Sequence, residues 1–201
     1  MTDQKRIVLA SGSTFRADIL RNAGLTIEQI PSTLDERALE APLAQADVLP
    51  EDRAEILAEA KAGQVSQAQI GAWVIGCDQI LSFEGEVLHK PKDMDEARRR
   101  LIALSGKTHM LHSAVVLAKD GQTVWRHVEP CKMVMREFDP GFVGRHLAST
   151  GDAVLSSVGA YQIEGPGAQL FQSIGGDLFS IMGLPLLPLL NALRKENVID
   201  G

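Results

Sequence analysis

The chain has 201 residues, 45% hydrophobic and 23% charged, which suits a single globular domain, 1–201, with a sizeable core and room for two lobes. A formal net charge of −6 excludes a general binder of nucleic-acid polymers, which needs a basic surface, but not a small phosphate-bearing substrate where basic residues converge locally. No apolar run approaches the ~18 residues of a membrane span, residues 1–6 lack a signal core, and the two cysteines, Cys77 and Cys131, fit a reducing compartment, so a cytoplasmic protein without a membrane partner is expected.

Residues 7–10 form a short apolar run and read as a first strand. The run breaks into Ser11-Gly12-Ser13, and a helix follows from Thr14 to about residue 23, with Ser13 as N-cap and Gly24 as the C′ residue. A strand, a small turn and a helix start make an anion site, because free backbone N–H groups and the positive end of the helix dipole meet there. Arg16, one turn in, is placed to add a bidentate phosphate contact. The plainer reading is an ordinary strand-to-helix turn with a surface arginine. Residues 25–30 read as a second strand, 31–36 as a loop carrying Asp35 and Glu36, and 41–50 as a flexible connection. A helix from about residue 51 to beyond residue 62 carries the apolar stripe Ala54, Leu57 and Ala58, whose next position is Lys61. That lysine either snorkels to solvent or points into a cleft and meets an anion.

Residues 72–75 read as a buried strand that delivers a lone carboxylate, Asp78. The chain turns through Glu84-Gly85-Glu86 and returns to Lys90-Pro91, a hairpin long enough to bring Lys90 near Asp78. Asp78 is either a turn residue at the strand end or a functional acid, since a buried strand seldom carries a carboxylate without a partner. Asp93-Met94-Asp95-Glu96 forms a capping box for a helix that turns Ala97, Leu101 and Leu104 inward, presents Arg98, Arg99 and Arg100 as a solvated face, and ends at Gly106. Residues 109–118 and 123–136 are strands joined around Asp120-Gly121, a hairpin signal. His109 and His112, three apart in a strand, face opposite ways and make poor co-ligands for one metal. A short helix spans 140–149, the glycines of 159–168 suggest close approach to a backbone or a ligand, and 170–182 read as another hairpin. Pro185, near N1, starts a last helix with Leu186, Leu189, Leu190 and Leu193 as its stripe. Strands and helices mix without strict alternation, which predicts an α/β fold with a mixed sheet.

Ser11, Ser13, Arg16, Glu36, Lys61, Asp78 and Lys90 stand out from this pass. Two acids and three bases beside a helix-start anion site suit a polyphosphate with Mg²⁺. The acids hold the metal or activate water, and the bases neutralise charge that builds in the transition state. The same inventory suits a kinase or a phosphatase.

Taken in order, Leu9-Ala10-Ser11-Gly12-Ser13-Thr14-Phe15-Arg16, Leu34-Asp35-Glu36, Leu57-Ala58-Glu59-Ala60-Lys61-Ala62, Gly76-Cys77-Asp78-Gln79, Lys90-Pro91, Leu104-Ser105-Gly106-Lys107-Thr108-His109, Gly159-Ala160-Tyr161-Gln162-Ile163-Glu164-Gly165 and Gly183-Leu184-Pro185-Leu186 resemble the Maf family of nucleoside triphosphate pyrophosphatases over nearly the whole chain. The resemblance implies hydrolysis of the α–β phosphoanhydride to a nucleoside monophosphate and pyrophosphate, a divalent cation (Mg²⁺ or Mn²⁺), and a homodimer. It also implies a two-lobed α/β fold similar to the inosine triphosphate pyrophosphatases, with a mixed, twisted central sheet and a cleft between the lobes. The family's general base falls on Asp78, and its other charged positions on Arg16, Glu36, Lys61 and Lys90. Glu36 and Asp78 are the expected metal ligands, and Ser11 and Ser13 expected substrate contacts.

Apart from Thr14 in place of the first motif's proline, which matters little to phosphate binding, the departures from the family pattern concern the base. Phe15 stands where the first arginine of a Ser-Pro-Arg-Arg motif is usual, Gln79 replaces the threonine of the pyrimidine-preferring branch, and Glu164 replaces its glutamine. An aromatic, Gln and Glu at these positions look like the branch that prefers 7-methyl-GTP, which has Trp at the first. The chemistry agrees: a carboxylate accepts both the N1–H and N2–H₂ donors of guanine, and an aromatic face favours a cationic ring by roughly 0.5–2 kcal/mol. The plainer readings are core packing for Phe15 and a solvated loop acid for Glu164. Two other functions stay open. One is a nucleotide-binding regulator of septum formation that acts through protein contacts; the other is a broad or dTTP/UTP-preferring house-cleaning pyrophosphatase.

Overall fold

The computed structural model describes residues 5–200, so the expectation drawn from the start of the chain falls mostly outside it. Strands β1 (Ile7–Leu9), β2 (Glu28–Gln29), β3 (Trp73–Phe83), β4 (Glu86–Leu88), β5 (Thr108–Lys119), β6 (Gln122–Met135) and β7 (Phe171–Gly175) form one sheet in the order β2-β1-β3-β5-β6-β7, with β4 also on β3. Among the described residues only β1 pairs in parallel, with β2 and β3, and every other pairing is antiparallel. The helices are α1 (Thr14–Asn22), α2 (Glu36–Gln45), α3 (Pro50–Ala68), α4 (Met94–Leu104), α5 (Pro140–Thr150), α6 (Leu178–Ile181) and α7 (Leu186–Lys195). None is long and apolar enough to cross a membrane among the described residues.

The two edges of β3 are used differently. One pairs with β5 over nearly its whole length, from Trp73 to Ser82. The other is divided: β1 takes Trp73, Val74 and Ile75, and β4 takes Leu81, Ser82 and Phe83. Between them lies a gap from Gly76 to Ile80 with Asp78 at its middle. β1 runs parallel to β3 and ends at the gap; β4 runs antiparallel and ends at it from the other side. Asp78 is therefore not a turn residue at a strand end. It sits mid-strand where the neighbouring strands part, the kind of switch point at which α/β sheets bind ligands.

Alternation along β3 sets the layers. Trp73, Ile75 and Cys77 pack with α1 and α7 residues such as Leu20, Leu189 and Leu193. Ile80, on the opposite face, packs with Ala54, Leu57, Ala58 and Ala62 of α3. Beyond the gap, Leu81 and Phe83 join Leu101 and Leu104 of α4, Val143 of α5 and Met133 of β6. These clusters lie toward the two ends of β3, on either side of the gap.

Three segments differ from the sequence expectation. The connection expected at 41–50 is mostly helix. Asp35 caps α2 by accepting the Ala38 N–H at 3.1 Å, and the segment is rich in Ala, Leu and Glu, which are good helix formers. Pro42 removes one backbone donor from a helix with no buried residue. The second strand is only two residues long. The expected hairpin of 170–182 is instead β7, paired with β6, followed by α6. Asp177 caps α6 by accepting the Ser180 N–H at 3.1 Å, so the chain coils rather than returning as a strand.

The 109/112 pair faces opposite ways, as a strand requires. His112 Nε2 lies 2.9 Å from Ser82 Oγ, while His109 Nε2 and the Tyr161 hydroxyl share a 2.6 Å hydrogen bond. Burial pushes the His109 pKa down to about 4, and it lowers those of His112 and His146 as well. Below its ordinary value of 6.5, the unfolded chain takes up a proton that the folded His109 refuses. This stability contribution is complete above pH 6.5 and is lost as pH falls toward about 4, by about 3 kcal/mol at most. His109→Gln is expected to flatten the decline of unfolding free energy between pH 7 and 4.5 relative to wild type. Equal slopes in urea titrations across that range would assign the decline to other groups.

Candidate active site

Four segments converge on the gap. α3 lies directly on β3 because Gly76 has no side chain; a Cβ there would come 2.3 Å from the Ala58 carbonyl oxygen. One turn after Ala58 on the helix, and two residues after Gly76 on the strand, Lys61 meets Asp78. Lys61 Nζ donates to Asp78 Oδ1 at 2.6 Å and lies 3.0 Å from Glu36 Oε2 at the start of α2. Lys61 is 7% exposed and Asp78 8%, whereas Glu36 is exposed. Of the two readings of Lys61, snorkelling fails and the cleft holds; the anions it meets are carboxylates. Asp78 Oδ2 accepts no hydrogen bond from the described residues, so one oxygen is free for water or a cation.

The end of β1 builds the second part. Ser11 Oγ accepts the Ser13 N–H at 3.2 Å, and Ser13 Oγ caps α1 by accepting the Arg16 N–H at 3.4 Å. Gln29 Nε2 donates to the Ser11 and Ser13 carbonyls at 2.9 and 3.3 Å, fixing the turn. The N–H groups of Gly12, Thr14 and Phe15 are claimed by neither serine, the arrangement an anion needs at a helix start. Arg16 departs from expectation. Its Nε donates to the Gly183 carbonyl at 2.8 Å, and Nη1 donates to Cys77 O and Ser11 Oγ at 3.3 and 3.4 Å. Only Nη2 remains for a ligand, in place of a bidentate fork.

The end of β4 delivers Lys90. Lys90 is exposed at the cleft mouth; partial desolvation lowers its pKa first, the nearby Arg16 and Lys61 charges lower it further, and Glu36 and Asp78 oppose them. The ammonium thus sits within electrostatic reach of all four groups, in a setting that an anion would relieve. The Cys77 thiol is pushed up to about 11 by burial and is no nucleophile at neutral pH.

Ser11, Ser13, Phe15, Arg16, Glu36, Lys61, Asp78, Gln79, Lys90 and Glu164 all line one cleft of about 1350 Å³. Phe15 is half-buried and belongs to no core cluster, so core packing does not explain it. Gln79 faces away from α3. Its Nε2 donates to Ser113 Oγ at 2.8 Å, Ile181 O at 2.9 Å and Ser180 O at 3.3 Å, which leaves only its oxygen for a ligand. Glu164 is exposed on the loop after Tyr161. The glycines of this loop serve the loop itself: a Cβ at Gly159 would come 2.1 Å from the Tyr161 ring, and one at Gly167 2.3 Å from the Gln162 carbonyl oxygen.

Sequence reasoning missed Gln29, which carries no local signal, and misread Arg100. That arginine is buried rather than solvated, and it too lines the cleft. A signal was present: Arg100 falls at i+3 from Ala97 and i−4 from Leu104, on the apolar stripe of α4, as Lys61 does on α3.

The chain matches the family described as Maf-like protein over residues 6–196. It is 60% identical over 197 residues to the 7-methyl-GTP pyrophosphatase of Mesorhizobium japonicum, covering 98% of this chain and 99% of that one. It is 59% identical over 196 residues to the 7-methyl-GTP pyrophosphatase of Brucella abortus, covering 98% of each. It is 47% identical over 193 residues to the nucleoside triphosphate pyrophosphatase of Caulobacter vibrioides, covering 96% of each. Because the family match takes in every strand and helix from β1 to α7, the gap beside Asp78 and the segments that fill it lie inside the shared domain, and this chain belongs to the Maf family.

Proposed function

We propose that the protein is a nucleoside triphosphate pyrophosphatase that prefers 7-methyl-GTP. The observation that carries this reading is Asp78, a buried carboxylate with one oxygen held by Lys61 and the other open to a cleft lined with cations. The names of the Mesorhizobium and Brucella relatives support the substrate.

In this mechanism Asp78 takes a proton from a water that attacks the α-phosphorus. The bond to the α–β bridging oxygen breaks, and pyrophosphate leaves. Lys61, Lys90 and the remaining nitrogen of Arg16 offset the charge gathering on the phosphates, and the turn at Ser11–Ser13 receives one phosphate on its N–H groups. Glu36 and Asp78 fit a divalent cation. Both approach one Lys61 ammonium, and no group of three or more acids, histidines or cysteines with metal-site geometry exists among the described residues. That donor set suits Mg²⁺ or Mn²⁺, which take one or two carboxylates and complete the shell with substrate oxygens and water. When bound, such an ion neutralises and orients phosphate oxygens.

Phe15 and Glu164 read the base, Phe15 by stacking and Glu164 by accepting guanine's N1–H and N2–H₂. Against thymine or uracil, Glu164 would face carbonyl oxygens and gain neither of the hydrogen bonds that guanine donates to it. The test is kcat/KM for 7-methyl-GTP, GTP, dTTP and UTP with Mg²⁺ and Mn²⁺, in wild type and Glu164→Gln. 7-methyl-GTP is expected to lead the pyrimidine nucleotides by at least about tenfold, and Glu164→Gln to shrink that lead. A wild type led by dTTP or UTP, or a ranking unmoved by Glu164→Gln, defeats the base reading alone. A wild type without steady pyrophosphate release over many turnovers defeats the enzyme assignment.

A further inference from the structure

We infer that Arg100 is a positioning residue that holds the phosphate side and the base side of the cleft in register, an inference that rests on the proposed function. Its Nη1 donates to two main-chain carbonyls, His89 O and, at 2.5 Å, Val158 O; its Nη2 donates to Glu96 Oε1 at 3.0 Å. His89 immediately precedes Lys90. Val158 opens the loop that continues through Gly159 and Tyr161 to Glu164. The connection after β4 and the 158–164 loop belong to no common strand pairing, yet their carbonyls meet on one nitrogen.

Two carbonyl dipoles aimed at the same point repel unless a cation with two N–H groups stands between them. A planar guanidinium supplies both donors from one nitrogen and keeps its second nitrogen for Glu96; a lysine ammonium has three N–H donors, but all on one nitrogen and at a shorter reach. The position lies on the apolar stripe of α4 and is 9% exposed. An apolar side chain of similar volume there would avoid the cost of burying a charge. The guanidinium instead links the backbones that carry Lys90 and Glu164, so the spacing between phosphate and base contacts depends on it.

The test compares Arg100→Lys with Glu96→Gln, which removes the ion pair but leaves both carbonyl contacts. Both are assayed with 7-methyl-GTP and dTTP, alongside thermal unfolding. Arg100→Lys is expected to lower kcat/KM for 7-methyl-GTP by at least about tenfold, with a raised KM and a narrowed lead over dTTP. Glu96→Gln is expected to lower the melting temperature while keeping the ranking. A folded Arg100→Lys with wild-type KM and ranking overturns the inference, as does a loss of kcat equal for both substrates. Where Arg100→Lys does not fold, Arg100→Gln takes its place; failure of both to fold, with Glu96→Gln folded, assigns Arg100 to stability alone. Absence of wild-type turnover counts against the function and not against Arg100. In that case the ranking is read as Kd for non-hydrolysable analogues of the two triphosphates.

Discussion

Asp78→Asn is expected to lower turnover by roughly two to four orders of magnitude, the range for losing a general base. The fold is expected to survive. Asn is nearly isosteric, and its carbonyl oxygen can still accept from Lys61 Nζ, which sits 2.6 Å from Asp78 Oδ1. What the amide lacks is a basic oxygen on the side that no described residue occupies. The loss is expected in kcat for every triphosphate, since the base moiety is read elsewhere, by Phe15 and Glu164. The checks are circular dichroism and melting temperature for the fold, and pyrophosphate release under saturating substrate for the rate. A folded Asp78→Asn protein that turns over within a few-fold of wild type would remove Asp78 from the reaction.

Lys61→Ala is expected to damage both stability and rate. Lys61 is buried beside Asp78, and its ammonium also approaches Glu36. Removing it leaves the Asp78 carboxylate desolvated and without its cation. Breaking one partner of a buried pair in this way costs about 3 kcal/mol or more. The structure supplies a control: Lys61→Ala/Asp78→Asn removes both charges and is expected to be more stable than Lys61→Ala, because no unpaired buried charge remains. Turnover of Lys61→Ala is expected to fall about a hundredfold or more for all triphosphates, with the base ranking unchanged, since a phosphate-side cation has been lost. Urea unfolding of the two single variants and the double variant measures the coupling, and the triphosphate panel measures the rest. If Lys61→Ala changes base preference while leaving rate and affinity for one good substrate untouched, its place on the phosphate side is wrong.

Signals local to a few residues were legible in the chain itself. Ser13 caps α1, and Gly24 takes φ +84° just past its end. Asp120 and Gly121, at φ +49° and +79°, form the left-handed two-residue turn that joins β5 to β6. The stripe of α3 led to Lys61 because a charged residue among alanines and leucines breaks a 3.6-residue period that can be counted without a structure. The resemblance to the Maf family, carried by motifs spread along the chain, was legible for the same reason: each motif is a short, ordered string of residues.

Tertiary structure decided the features that depend on distant partners. Nothing near Asp78 in the chain says that β1 and β4 share one edge of β3 and stop short of each other, so its place in a gap rather than at a turn follows only from pairing across the sheet. The fork of Arg16 is largely used up by Gly183 and Cys77, far away in sequence, and Gln79 is turned toward α6. α2 buries no residue, so it lacks the apolar period by which a helix is recognised, and Pro42 reads as a break. Capping, turn and periodicity preferences act over one or two turns of chain, and the residues alone determined those. Strand order, and the carbonyls on which a buried arginine settles, depend on contacts between segments far apart in the chain, and only the assembled fold determined them.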